Sequence, residues 1–107
     1  MPYTDLKDIG ELEECIKNSD ENMVVIYYGA KWCRPCVTGG EVFGVVSDTE
    51  EYDKIKFHKV DIDDIEEAKE SQEIVSIPVT IVYRNGKDIN RVVGTNIGNI
   101  IELIDSN

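Results

Sequence analysis

Apolar positions recur along the chain with two spacings, and the changes of spacing divide it into elements. Met23 to Tyr28 is a nearly continuous apolar run, the pattern of a strand covered on both faces in the middle of a sheet. Before it, Tyr3 to Lys7 reads as a short first strand. Ile9, Leu12, Cys15 and Ile16 stand at helical spacing and predict a helix over roughly Ile9 to Asn18, with Asp8 as its cap. A second helix is expected from near Cys33 to about Glu51. Gly39, Gly40 and Gly44 weaken it, each by about 1 kcal/mol relative to Ala. They imply either close packing of this helix on the sheet or a mobile first turn.

Ile55 to Ile62 alternates as a third strand. The acids that follow, Asp61, Asp63, Asp64, Glu66, Glu67 and Glu70, predict a solvated helix face. They do not make a calcium loop, because positions 6 and 12 counted from Asp61 are Glu66 and Gln72 rather than Gly and Glu. Ile77 to Tyr83 and Asp88 to Val93, joined by Arg84-Asn85-Gly86-Lys87, read as a hairpin with an Asn-Gly turn. Thr95 is placed to cap a last helix carrying Ile97, Ile100, Ile101 and Ile104. The order is β-α-β-α-β-α-β-β-α. Early crossovers imply parallel strands and the late hairpin an antiparallel edge, giving an α/β fold with a central mixed five-stranded sheet flanked by four helices.

Composition narrows the function. A chain of 107 residues that is 41% hydrophobic is expected to form one domain over 1–107 with a real core. A net charge of -11 argues against nucleic acid and anionic membrane surfaces, which need clustered Lys and Arg. It permits partners with basic patches, although acidity is mainly a solubility feature. Met1-Pro2-Tyr3-Thr4-Asp5 has neither a basic region nor an apolar signal core. No apolar run approaches the roughly 20 residues that span a bilayer. Three cysteines do not make a disulfide framework, so a reducing, cytoplasmic location is expected.

The candidate chemistry lies in Trp32-Cys33-Arg34-Pro35-Cys36, between the apolar strand and the second helix. Two cysteines with this spacing at a helix N-terminus suggest a redox pair. A free thiol with a pKa of roughly 8.5 is only about 3% thiolate at pH 7, and the positive end of a helix favours the anion. A drop of about one unit raises that fraction to about a quarter. The spacing lets the second thiol attack the mixed disulfide formed by the first. Cys33 is therefore expected to attack and Cys36, one turn inside the helix, to resolve. Pro35, with no N–H to donate, suits the first turn. A zinc site is not expected, because only Cys15 and His58 remain as further ligands. Cys15 reads as a small buried hydrophobe or, alternatively, as a regulatory thiol.

These residues resemble the active site of the thioredoxin family, whose usual motif is Trp-Cys-Gly-Pro-Cys. The resemblance covers nearly the whole chain. Lys59-Val60-Asp61-Ile62-Asp63 is similar to the family's third strand, and Ile77-Pro78 to its cis-proline site opposite the cysteines. Asn85-Gly86-Lys87 resembles its hairpin turn, and Val93-Gly94 the glycine beside its substrate groove. Three positions depart from the pattern. Arg34 replaces the usual glycine, Tyr27 stands where a buried aspartate is usual, and Glu41 stands where the helix often carries a proline.

The resemblance implies a thioredoxin fold and a dithiol–disulfide oxidoreductase that reduces protein disulfides. It implies no cofactor beyond the Cys33–Cys36 couple, electrons from a thioredoxin reductase, and a monomer. Trp32, Arg34, Pro35, Ile77, Pro78, Val93 and Gly94 would form the substrate surface, and Pro78 would follow a cis peptide bond. Tyr27 and Lys59 would tune the redox pair. A phenol is a poor base near neutrality. Lys59 lacks an evident carboxylate partner, so it either reaches solvent or is partly neutral. Two other readings stand beside this one: a groove-binding module without turnover, and a more oxidising relative serving thiol oxidation or isomerisation.

Overall fold

Strand β2 (Val24–Gly29), with all six residues buried, is the centre of the sheet. The computed structural model describes residues 3–107. On one side of β2 lie β3 (Lys56–Asp61) and then β1 (Tyr3–Asp5), both parallel. On the other side β4 (Val79–Arg84) runs antiparallel, with β5 (Lys87–Val93) at the edge. The strand order is β1-β3-β2-β4-β5.

Successive β2 residues face opposite ways. Val24, Ile26 and Tyr28 join one core cluster with Leu12 of helix α1 (Ile9–Lys17) and Ala68 of helix α3 (Ala68–Ser71). Val25 and Tyr27 join a second with Phe43 of helix α2 (Arg34–Ser47) and Ile100 of helix α4 (Ile97–Asp105). The unbroken apolar run of β2 thus serves two cores at once. Phe43 anchors the second, stacking on Tyr27 at 5.2 Å and meeting Phe57 edge-on at 5.7 Å between ring centroids.

Local signals act as their chemistry predicts. Asp8 caps α1 by accepting the Glu11 N–H at 2.9 Å. Asn85 and Gly86, at φ 52 and 81, make the two-residue hairpin turn. Three expectations need correction. Helix α2 stops at Ser47 rather than near Glu51, because Thr49 is extended; a 3₁₀ turn, Glu50–Tyr52, follows. The acidic stretch after β3 is mostly turn, with only Ala68–Ser71 helical. There Asp61 accepts the Asp63 N–H at 2.8 Å, a local bond that competes with helix formation. Finally, Asn96 rather than Thr95 caps α4, accepting the Asn99 N–H at 3.0 Å.

Candidate active site

The sheet register gathers the chemistry at one end. Tyr28 pairs with Val79, Gly29 with Asp61, and Val79 with Val93. The loop leaving β2 through Ala30 to Cys33, the Ile77-Pro78 dipeptide before β4 and Gly94 after β5 therefore share an edge. Ile77–Pro78 is cis. Gly94 donates its N–H to the Pro78 carbonyl at 2.8 Å, at a φ of 107 that glycine adopts without strain.

Cys33 and Cys36 are joined as a disulfide, with Cα atoms 5.2 Å apart. Cys33 is the N-cap of α2, with extended backbone, and its Sγ accepts the Cys36 N–H at 3.3 Å. Pro35 stands in the first turn, where its missing N–H costs nothing. No acidic residue occupies that turn, so no carboxylate there competes with a Cys33 thiolate for the positive end of the helix. Both cysteines are largely covered. Cys33 retains 9% exposure and Cys36 4%, so solvent access to the first is slighter than its loop position predicts.

Around the pair, Trp32 is 70% exposed and is held by an indole N–H donated to Asp63 at 2.8 Å. Sequence reasoning missed that role for Asp63, which it grouped with the solvated acids. Asp61 accepts the Lys31 N–H at 3.2 Å and so holds the same loop. Val93 is 57% exposed and Ile77 half-buried, so Trp32 and Val93 leave apolar surface open at this end of the sheet. Arg34 is exposed.

On the inner side, Tyr27 donates its hydroxyl to the Cys36 carbonyl at 2.7 Å, and burial pushes its pKa up to about 12. The half-buried Lys59 has its Nζ over the Tyr3 ring, 4.1 Å from the centroid. The glycines of α2 answer to these neighbours. A Cβ at Gly39 would lie 2.5 Å from the Tyr27 hydroxyl and 2.7 Å from the Thr95 methyl. One at Gly40 would lie 3.1 Å from the Lys59 Nζ. Close packing, rather than a mobile first turn, accounts for both. Gly29 has the same cause, since a Cβ there would lie 3.0 Å from that of Cys36.

Residues 6–106 match the family model described as Thioredoxin. The chain belongs to the thioredoxin family. It is 33% identical to thioredoxin-2 of Saccharomyces cerevisiae over 104 residues, 97% of each chain. It is 31% identical to the thioredoxin of Ictalurus punctatus over 85% of each. Among solved structures, the reduced thioredoxin of Schistosoma mansoni superposes with a TM-score of 0.87 at 35% identity, covering 97% of this chain and 96% of that one. The fold is the thioredoxin fold, and the chain is a thiol–disulfide oxidoreductase acting on protein disulfides. In thioredoxins the working group is a redox-active disulfide, and Cys33–Cys36 is the disulfide of this chain.

Proposed function

We propose that residues 1–107 act as one domain in which Cys33 attacks and Cys36 resolves, reducing protein disulfides in the cytoplasm as a monomer. The Cys33 thiolate attacks one sulfur of the substrate disulfide, forming a mixed disulfide and releasing one substrate thiolate. The Cys36 thiolate then attacks the Cys33 sulfur, closing the Cys33–Cys36 bond and releasing the second. Two electrons pass to the substrate, whose thiolates take protons from water. A thioredoxin reductase returns two electrons to the pair.

One observation carries the order of attack. The Cys33 sulfur caps the helix and accepts the Cys36 N–H at 3.3 Å, so the Cys33 thiolate has a hydrogen-bond donor and a helix dipole behind it. Trp32, Arg34, Pro35, Ile77, Pro78, Val93 and Gly94 receive the substrate, an extended segment pairing with backbone before Pro78. Tyr27 and Lys59 tune the pair from the inner side.

The test is catalysed reduction of a disulfide-bonded test protein by dithiothreitol at substoichiometric protein. Multiple turnovers by the wild type, and none by the variant with both Cys33 and Cys36 changed to Ser, support the reading. Equal activity of the two overturns it.

A further inference from the structure

Resolution requires a thiolate at Cys36, so the Cys36 thiol must lose its proton from a site only 4% exposed. Tyr27 cannot take that proton, because its own hydroxyl is a donor to the Cys36 carbonyl. A second route exists on the inner side. A cavity of about 400 Å³ reaches Cys36 past Tyr27, Gly29 and Gly40, and neither Trp32, Cys33, Pro78 nor Gly94 lines it. It therefore opens away from the substrate surface. Its size, and the charged side chains among its lining residues, suit water.

Strand β2 lines this cavity with the uncharged Tyr27 and Gly29, and the charged groups come from the other elements around it. Strand β3 contributes Lys59 and Asp61, helix α2 contributes Glu41, and the loops after β2 and β3 contribute Lys31 and Asp64. Asp5 and Lys7 stand at the end of β1. Asp61 is committed, one oxygen to the Asp63 N–H at 2.8 Å and the other to the Lys31 N–H at 3.2 Å. Glu41 is exposed on the same helix as Cys36. It adjoins Gly40, where a Cβ would lie 3.1 Å from the Lys59 ammonium.

We propose that this cavity is the proton exit of Cys36, with Glu41 as acceptor through cavity water and Lys59 stabilising the thiolate left behind. The proposal rests on Cys36 being the resolving thiol. The proton leaves the Cys36 sulfur, crosses water and arrives on the Glu41 carboxylate, which returns it to bulk solvent. The thiolate then attacks Cys33 as described. Glu41 accepts the proton through water and does not touch the sulfur.

The test uses the reduced full chain and an aryl disulfide that releases a coloured thiolate. The first release reports attack by Cys33 and the second reports resolution by Cys36. Followed from acid to alkaline pH, Glu41→Gln is expected to slow the second release by about fivefold or more near neutrality. The deficit is expected to close at alkaline pH, where hydroxide takes the proton without a carboxylate acceptor. Glu41→Asp is expected to recover part of the rate, and Lys59→Gln to move the second-phase profile toward higher pH. A second-phase profile of Glu41→Gln superimposable on wild type overturns the proposal, whatever Lys59→Gln does. If the wild type shows no first release at all, the assignment of Cys33 and Cys36 fails, and the proposal falls with it.

Discussion

The Tyr27 hydroxyl donates to the carbonyl oxygen of Cys36 at 2.7 Å, so the phenol holds the backbone of Cys36 rather than its sulfur. Tyr27→Phe is therefore expected to leave the rate of mixed-disulfide resolution within about tenfold of wild type, less than about 1.4 kcal/mol of barrier. Loss of the hydrogen bond is expected to cost about 1 kcal/mol of stability. The pH dependence has a definite sign. Burial raises the Tyr27 pKa from 10.0 to about 12, so in that window the unfolded chain has lost a proton that the folded chain keeps. The stability from this group is complete below pH 10 and falls as pH rises toward about 12. Urea unfolding of Tyr27→Phe is expected to show a shallower alkaline decline than wild type.

Gly39 and Tyr27 are expected to be energetically coupled. A Cβ at Gly39 meets the Tyr27 hydroxyl at 2.5 Å and the Thr95 methyl at 2.7 Å. Ala improves helix propensity by about 1 kcal/mol, but overpacking costs about 1–3 kcal/mol. Gly39→Ala should be destabilising overall, and less so in a Tyr27→Phe background. A double-mutant cycle measures the coupling; strict additivity would contradict it.

The contrast between local and distant pairs explains what could be read from the chain. The β2 run, the Asp8 cap, the Asn85-Gly86 turn and the cysteine spacing each declare themselves within a few residues. The site is completed by partners far apart in sequence: Trp32 with Asp63, Tyr3 with Lys59, and Gly39 with both Tyr27 and Thr95. No periodicity encodes such pairs. Thr95 and Asn96 both carry capping side chains; Asn96 takes the cap, and the Thr95 methyl lies beside Gly39. Helix α2 looks longer in sequence because the buried Tyr52 continues its apolar pattern after the backbone has broken at Thr49.

The order of attack predicts which variant traps substrate. Cys36→Ser keeps the nucleophile and removes the resolving thiol, so a mixed disulfide should accumulate on Cys33. Cys33→Ser should trap little. Mass spectrometry after incubation with a disulfide substrate reads the adduct directly, and a stable adduct only on Cys36 would reverse the assignment.

Arg34 places a positive charge between the two cysteines. That charge is expected to favour the Cys33 thiolate, stabilise the reduced form and make the couple more oxidising. An exposed charge pair contributes about 0.2–1 kcal/mol, and about 30 mV corresponds to 1.4 kcal/mol for two electrons. Arg34→Gly should shift the potential by at most about 20 mV in the reducing direction, and by less in high salt. Equilibration with glutathione at two salt concentrations measures the shift. No change, or a shift toward the oxidising side, would assign Arg34 to partner choice.

Redox titration of the Cys33–Cys36 couple tests the central claim most directly, with Trp32 fluorescence as the readout and circular dichroism as the check on fold. Thioredoxins are themselves the reference case near about −270 mV, whereas structural disulfides typically lie below about −300 mV. A catalytic Cys33–Cys36 disulfide gives one reversible two-electron transition above about −300 mV, with the fold retained in both states. A midpoint well below that value, or unfolding on reduction, would show that the disulfide serves structure and would contradict the account.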